Sequence, residues 1–411
     1  MSYIPYDDIQ IAGEVDIKEE KHEFDAFGRL RTSQVTTLFE SQLSNSEQNK
    51  FWHTIKEGSA STTYLSNQSS LELSVTATVG DKAIRQSKVY TRARLGKSHI
   101  VFLTGNFNGG VSGVKKRIGY FDEENGVFFQ MNGETLEVVV RSKASGTVQE
   151  TAIPQSTWNI DKFDGTGESG ISINTSFDQV FVFDIEWLGT GKVRAGILID
   201  GKLTYVHEFK FTNTQNTPYM TTATLPSRYD IETDGTNAAT LKQTAVVIMT
   251  EGGSNEFPSC FDISNEITPK QVMNTLTPIL SIKPKTIFKN KVNRISTLLE
   301  EAEIYSTDDD IYYEIRKDCI LSAPFWNGVD DEESSVEYDY SSNGFSGGEV
   351  VMKGYVKGNG ILNKIEKEKS VRHILTTNYE GTDSSNLTLL AKTINTTSSD
   401  VFATFRWKED D

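Results

Sequence analysis

Two acidic residues separated by one position carry the best candidate chemistry in this chain of 411 residues. Asp184 and Glu186 belong to the run Asp184-Ile185-Glu186-Trp187. In a β-strand, residues two positions apart point to the same face of the sheet. Two carboxylates on one face can divide the roles of acid and nucleophile in glycoside hydrolysis when their surroundings separate their pKa values. The pair is therefore the first catalytic possibility.

The neighbouring sequence argues against catalysis by this pair. The endoglucanase pattern that the run resembles has another Glu two residues before the Asp, and this chain has Val182 at that position. Without a third acid, the ordinary outcome for such a pair is a solvated sheet face. We therefore predict no catalytic residues and no enzymatic activity, with glycan hydrolysis as the less favoured alternative.

An oxygen-rich loop at residues 159–169 is a weak candidate for a calcium site. It contains Asp161 and Asp164 together with Gly, Thr and Ser residues, and calcium prefers oxygen ligands. However, the alternating ligand spacing of a calcium loop is missing, and Phe163 stands where another ligand would fall. We favour a turn in which these side chains bind their own backbone.

The other residues with reactive or metal-binding side chains lack the spacing of a known site. Cys260 and Cys319 are far apart, so we predict two buried thiols without a disulfide. The sequence predicts no cofactor. The histidines are scattered, without the paired spacing of a zinc site, at His22, His53, His99, His207 and His373.

The charge and apolar content of the chain exclude several classes of partner. A net charge of -16 at pH 7 would repel a phosphate backbone, so nucleic acid is not expected as a partner. The compact basic cluster Lys115-Lys116-Arg117 is predicted to be a solvated loop edge. No apolar run approaches the roughly 20 residues that cross a bilayer, and the N-terminus has no secretory signal. We expect synthesis in the cytoplasm and no membrane span.

The elements that would position these residues are strands and tight turns. Residues 71–79 alternate apolar and polar side chains with period two, as a half-buried strand does, and further strands are predicted at 99–104, 180–187 and 244–250. Asn132-Gly133 and Asp200-Gly201 are residue pairs that two-residue hairpin turns favour. Packed antiparallel sheets are the simplest way to bury many short amphipathic strands, so we predict an all-β protein built on a β-sandwich.

The length of the chain indicates more than one core. Gly, Ser, Asn and Pro cluster at residues 251–258, and we place a domain boundary there. The predicted organisation is an extended N-terminal arm at residues 1–35, a β-sandwich domain at residues 36–255 and a second, smaller β-rich domain at residues 256–411. Residues 289–305 have helical spacing of apolar side chains, and helix and strand both stay open there.

Several phrases of the sequence resemble virion structural proteins of tailed bacteriophages. The phrases that carry the resemblance are Asp25-Ala26-Phe27-Gly28-Arg29-Leu30-Arg31-Thr32-Ser33, Trp187-Leu188-Gly189-Thr190-Gly191 and Leu225-Pro226-Ser227-Arg228-Tyr229. The resemblance implies a non-enzymatic virion component, either a fibre, collar (neck) or head-decoration subunit, with a lectin-like sandwich of the concanavalin or laminin-G type. It also implies localisation in the virion and assembly with copies of itself, as a trimer or larger, and with other virion proteins of the head, neck or tail.

The N-terminal arm is the segment in which we expect contacts for assembly. It has too few apolar side chains to fold alone but enough to dock onto a neighbour. The docking candidates are Asp25, Phe27, Arg29 and Arg31, and the two arginines suit bidentate contacts to carboxylates. An arm that wraps its own subunit is the competing possibility. For the whole protein, the alternative is a carbohydrate-binding module for host adsorption, with host surface glycans as ligands.

Overall fold

The structure is a computed structural model that describes residues 25, 26, 29, 31, 34–252, 259–362, 374–395 and 398–410. These residues form antiparallel β-strands, and the helical elements among them are two three-residue 3-10 turns, Ser66–Gln68 and Gln155–Thr157. The predicted all-β class is confirmed. Within the described residues, no helix has the length and apolar character needed to cross a membrane.

The strands fall into two groups along the chain. The first group consists of β1 (Val35–Gln42), β2 (Trp52–Glu57), β3 (Ser61–Leu65), β4 (Ser70–Val75), β5 (Lys82–Ser87), β6 (His99–Asn106), β7 (Val114–Phe121), β8 (Gly126–Asn132), β9 (Thr135–Ser142), β10 (Gln149–Pro154), β11 (Gln179–Ile185), β12 (Lys192–Ile199), β13 (Lys202–Lys210), β14 (Ser227–Thr233) and β15 (Ala239–Glu251). The second group consists of β16 (Ser259–Ser264), β17 (Lys270–Val272), β18 (Thr277–Pro284), β19 (Ile287–Phe288), β20 (Lys291–Val292), β21 (Ser296–Ser306), β22 (Ile311–Leu321), β23 (Asn327–Gly328), β24 (Val336–Asp339), β25 (Phe345–Val356), β26 (Gly360–Leu362), β27 (Ile374–Leu375), β28 (Leu387–Thr393) and β29 (Ser399–Asp410).

The first group forms two sheets that share one hydrophobic core. Sheet 1 has the strand order β13-β12-β11-β6-β15-β4-β3, and β1 also pairs with β15. Sheet 2 has the order β10-β9-β8-β7-β14-β5-β2. Alternate residues of each strand enter the core, such as Phe181 and Phe183 of β11 and Tyr229 and Ile231 of β14. The predicted lectin-like β-sandwich is confirmed.

Local turn chemistry fixes the hairpins of this sandwich. Asp200 and Gly201 join β12 to β13 with φ values of 51° and 78°, and two positive φ values match the twist of the flanking strands. At the predicted Asn132-Gly133 turn, Asn132 is the last residue of β8, and the loop residues are Gly133 and Glu134. That turn is therefore displaced by one residue from its predicted position.

The second group encloses a second hydrophobic core. Sheet 3 has the order β16-β29-β21-β26, with β17 paired to β29 and β27 paired to β21, and sheet 4 has the order β23-β24-β18-β28-β22-β25. Residues 289–305, for which the sequence allowed either a helix or a strand, overlap the long strand β21. A bulge between Leu299 and Glu301 shifts its alternation, so Leu299 and Ala302 both enter the core. The bulge explains the helix-like spacing of these apolar residues.

Polar contacts connect the two cores. The hydroxyl of Tyr379 donates a hydrogen bond to Glu123, and the guanidinium of Arg294 lies 4.9 Å from the ring centre of Tyr90. A cavity of about 250 Å³ is lined by residues of both parts. The predicted boundary after residue 255 lies outside the described residues, so the division into domains stays a prediction.

Candidate functional site

The outward face of sheet 2 carries a row of charged side chains that we call the charged ladder. Its members are Glu123, Arg228, Asp230, Arg117 and Glu232. Strand alternation places three of them there: Tyr229 and Ile231 of β14 enter the core, so the residues on either side of them point outward. Arg117 of the neighbouring strand β7 is the register partner of Asp230.

Each carboxylate of the charged ladder is paired with a guanidinium. Asp230 accepts hydrogen bonds from Arg117 Nη1 at 3.0 Å and from Arg228 Nε at 2.9 Å. Arg117 Nη2 also donates to Glu232 at 2.6 Å, and Arg228 Nη2 donates to Glu123 at 2.9 Å. Burial opposes the ionisation of Asp230 and Glu123, but the facing arginines outweigh it, lowering the pKa of Asp230 and bringing the pKa of Glu123 to about 2. These carboxylates are therefore acceptors, not acids, at neutral pH.

A cleft of about 580 Å³ lies where the ladder ends at Glu232. Four of its side chains follow one line across sheet 2, because Glu232 is the register partner of Lys82 on β5 and of Lys115 on β7, and Lys115 is the partner of Asn132 on β8. Neighbouring strands are about 4.8 Å apart, so this polar row spans about 14 Å. In this row Lys115 and Asn132 are exposed at the cleft, whereas Glu232 is paired with Arg117 and the Nζ of Lys82 lies 3.9 Å from Glu123 Oε1.

Two further carboxylates at the cleft accept hydrogen bonds from backbone N–H groups and from hydroxyl groups. Asp81 accepts hydrogen bonds from Thr76 Oγ1 at 2.5 Å and from the N–H of Ser59 at 2.7 Å, and these bonds lower its pKa. Hydrogen bonds from Thr236 lower the pKa of Asp234. Both carboxylates are therefore ionised at neutral pH and act as hydrogen-bond acceptors.

Asp184, the first candidate from the sequence, lies on the outward face of sheet 1 and is fully buried. Its Oδ2 accepts hydrogen bonds from Arg31 at 2.6 Å, Arg194 at 2.5 Å and Tyr205 at 2.8 Å. Its Oδ1 accepts one from Ser98 at 2.5 Å. Four donors engage both oxygens, and this carboxylate therefore has a structural role in the observed state.

Glu186 and Glu251 are the other acids of this region. Arg31 Nη1 lies 2.5 Å from Glu251 Oε1, so one guanidinium bridges Asp184 and Glu251. Burial raises the pKa of Glu186 and of Glu251, as a general acid requires. Neither of them lines the cleft at the ladder or the cavity between the two cores.

The calcium candidates Asp161 and Asp164 bind their own loop. Asp161 accepts hydrogen bonds from the N–H groups of Phe163 at 2.9 Å and Ser169 at 2.7 Å. Asp164 accepts bonds from the N–H and the hydroxyl of Thr166. Among the described residues, no group of three or more His, Cys, Asp or Glu side chains could hold a metal ion.

Three of the four docking candidates are described, and Phe27 lies outside the described residues. Asp25 and Arg29 form an ion pair with each other at 2.7 Å. Arg31 contacts Asp184 and Glu251 of its own chain, so this part of the arm lies on its own sandwich. A role of these residues in assembly stays a prediction.

Two other predictions were wrong in detail. Lys116 and Arg117 are not a loop edge but buried residues of β7, because Lys116 Nζ donates to the carbonyl oxygens of Phe107 and Gly109 and Arg117 joins the charged ladder. Cys319 is a buried thiol as predicted, but Cys260 is exposed.

Sequence reasoning missed the charged ladder. One signal was available, since Asp230-Ile231-Glu232 repeats the Asp-Ile-Glu order of residues 184–186 in another alternating strand. The same alternation places Arg228 on the face of Asp230 and Glu232, whereas Arg117 lies on another strand, and its pairing with these acids could not be predicted from local sequence.

Comparisons with known proteins identify no family for this chain. No protein-family model matches the chain, and no curated protein matches it. Among solved structures, a protein of unknown function from Shewanella oneidensis MR-1 aligns at 7% identity with a TM-score of 0.37, covering 58% of this chain and 95% of the other. A glycosyl hydrolase family 16 protein from Mycobacterium smegmatis aligns at 12% identity with a TM-score of 0.36, covering 52% of this chain and 100% of the other. An engineered GH43 glycoside hydrolase aligns at 15% identity with a TM-score of 0.35, covering 54% of this chain and 42% of the other.

The comparisons contradict the prediction of a non-enzymatic virion subunit. The activities named among these matched structures are those of glycoside hydrolases, including a β-1,3-glucanase from Mycobacterium marinum and endo-acting O-glycanases. The carbohydrate alternatives of the sequence analysis fit them better. At these identities and TM-scores the likeness assigns no ligand and no activity to this chain, so both must be argued from its own geometry.

Proposed function

We propose that this protein binds glycans in the cleft at the end of the charged ladder. The observation that carries the proposal is the polar row of Lys82, Glu232, Lys115 and Asn132 in register across four strands. Sugars present hydroxyl groups at short, regular intervals, and their recognition requires donors and acceptors at fixed positions. The cleft volume of about 580 Å³ is in the range of small-ligand sites.

The charged ladder would hold the polar row rigid. Glu232 is fixed by Arg117, which is fixed in turn by Asp230 and by Gln130 Oε1 at 2.8 Å. A binding group that is already ordered loses little conformational entropy when a ligand binds. Lys115 and Asn132 are exposed and have space to contact a sugar.

Glycan hydrolysis is the second candidate, and one observation favours it. Burial raises the pKa of Glu186, which lies two residues from Asp184, and Glu251 supplies a third acid that shares Arg31 with Asp184. However, Asp184 is fully buried and already accepts four hydrogen bonds from side chains of its own chain. Hydrolysis there would require Arg31 to move away.

Glycan-array screening of the full chain, followed by calorimetric titration of the bound glycans, tests the proposal. Asn132→Ala and Lys115→Met should each weaken binding about tenfold, the effect of losing about 1.4 kcal/mol of contact. Lys202→Met is the matched control, because Lys202 is an exposed lysine of sheet 1 and its loss should leave binding unchanged. Absence of any glycan ligand, or equal weakening by the control, would overturn the proposal.

An assay for reducing ends released from the bound glycans distinguishes glycan binding from glycan hydrolysis. Binding without cleavage is the result that the first proposal expects. Release that Glu186→Gln abolishes, while Asn132→Ala leaves it intact, would instead support hydrolysis at the acidic group of sheet 1.

A further inference from the structure

The outward face of sheet 4 presents a pair of tyrosines at the edge of the sheet. Tyr312 of β22 lies opposite Tyr355 of the edge strand β25, and their ring centres are 5.3 Å apart. Ile311 and Tyr313 enter the second core, so Tyr312 points away from it. Tyr355 is 69% exposed. An aromatic side chain that is this exposed offers apolar surface that a bound ligand can cover.

The pair is held in place by hydrogen bonds on the same face. Glu314 Oε1 accepts a hydrogen bond from the hydroxyl of Tyr312 at 2.7 Å, and its Oε2 accepts one from Arg316 Nε at 2.5 Å. Tyr312, Glu314 and Arg316 are alternate residues of β22 and therefore share one face. The polar edge of Tyr312 is thus satisfied within the protein, and the exposed ring of Tyr355 beside it remains for contact.

Two lysines flank the tyrosines from the neighbouring strands. Lys392 of β28 lies opposite Tyr312, with its Nζ 5.6 Å from the ring centre. Lys353 of β25 lies opposite Glu314. Within the described part of the chain, neither lysine forms an ion pair, so both charges are available to a ligand.

The local charge differs in sign from that of the whole protein. Lys353 lies opposite Glu314, Arg316 is paired with Glu314 and Lys392 lies opposite Tyr312, so three cations outnumber the carboxylates of Glu314 and Asp310 in a chain whose net charge is -16. Asp310, two residues before Tyr312, accepts a hydrogen bond from the N–H of Gly358. A positive patch around exposed rings in an acidic protein favours a ligand that is both anionic and apolar on one face.

We propose that this face binds an acidic glycan whose sugar rings carry carboxylates. The C–H groups on one face of such a sugar pack against the electron-rich ring of Tyr355, while its carboxylates approach Lys353 and Lys392. This site is separate from the cleft of sheet 2 in both position and ligand charge. A negative result for the cleft of sheet 2 therefore does not affect the proposal for this face.

Isothermal titration calorimetry of the full chain with oligogalacturonate tests the proposal by measuring the affinity. Tyr355→Ala should weaken binding about tenfold, and Tyr355→Phe should keep it because the ring remains. Lys392→Met and Lys353→Met should each weaken binding and reduce its dependence on salt. Phe325→Ala is the matched control: Phe325 is an aromatic residue of the second group that is 68% exposed, and its loss should leave the affinity unchanged.

Polyglutamate is the second probe, because it carries carboxylates without sugar rings. The proposal expects it to bind much more weakly than oligogalacturonate and to be insensitive to Tyr355→Ala. Equal binding of both polyanions, or oligogalacturonate binding that Tyr355→Ala leaves unchanged, would overturn it. A loss caused by Lys115→Met with no effect of Tyr355→Ala would assign the acidic glycan to the cleft instead, and this too would overturn it.

Discussion

At the scale of single residues, the protein buries histidines in their neutral form. Burial lowers the pKa of His53, His99 and His207 to about 4, whereas the value in an unfolded chain is about 6.5. His99 is the most completely buried of the three, and its ring lies 5.2 Å from that of Tyr120. A charged imidazole at this position would lack the solvation that it has in water.

The stability of the protein should therefore fall as the pH is lowered from about 6.5 to 4. In that window the unfolded chain binds protons at these histidines and the folded protein does not, so acid favours the unfolded state. For His99 the full difference corresponds to about 3 kcal/mol, since one pKa unit is about 1.36 kcal/mol. Urea denaturation at a series of pH values measures the effect.

The His99→Phe variant isolates the contribution of this residue. Phenylalanine keeps a ring against Tyr120 and cannot titrate. The slope of the free energy of unfolding against pH between pH 6.5 and 4 should therefore decrease by the equivalent of one bound proton. An unchanged slope in this variant would show that His99 is not the neutral buried group described here.

At the scale of elements, close pairing of β7 with β8 depends on Gly119. A Cβ at this position would lie 2.3 Å from the carbonyl oxygen of Val127 and 2.6 Å from the Cα of Phe128. Both neighbours are backbone atoms of the adjacent strand and cannot rotate away. The charged ladder rests on these two strands, because Arg117 and Gln130 lie on them.

Gly119→Ala should destabilise the protein by about 3 kcal/mol, the upper part of the range for overpacked positions. Gly146→Ala is the control: Gly146 has a φ of 92° and no non-neighbouring atom within 4 Å of the added Cβ, so only the cost of a positive φ, about 1–2 kcal/mol, is expected. The free energies of unfolding come from urea denaturation. Similar values for the two variants would contradict the close strand contact.

At the scale of the whole molecule, the two hydrophobic cores share no buried apolar residue within the described part of the chain. The contacts described between them are polar or involve a cation and a ring, as between Tyr379 and Glu123 and between Arg294 and Tyr90. Such contacts couple two units weakly compared with a continuous apolar core.

Thermal unfolding of the full chain should therefore show two transitions. Ile231 lies in the first core and Ile282 in the second, and both are fully buried. Truncating either to alanine should cost about 2–5 kcal/mol in its own core, so Ile231→Ala should lower one transition temperature and Ile282→Ala the other. Differential scanning calorimetry of each variant shows which of the two transition temperatures is lowered. If each variant shifts every transition together, the chain unfolds as one cooperative unit.

The sequence by itself determined the local structure of this protein. Alternation with period two located β4, the strands predicted at 99–104, 180–187 and 244–250 overlap β6, β11 and β15, and Asp200-Gly201 marked a hairpin turn that the structure contains. These features depend on side-chain periodicity and on the φ preferences of neighbouring residues, which are properties of a short segment. The all-β class and the sandwich follow from them, because many half-buried strands need packed sheets to cover their apolar faces.

Only the tertiary structure decided which strands are neighbours, and the candidate sites depend on that. β6 pairs with β11 and β15, and β7 pairs with β8 and β14, so residues more than 100 positions apart, such as Arg117 and Asp230, form ion pairs. Alternation shows that a side chain points outward, but not which side chain lies opposite it on the next strand. The ladder, the polar row of the cleft and the tyrosine pair of sheet 4 are all cross-strand arrangements. Their chemistry arises from register, which long-range pairing sets and local sequence does not encode.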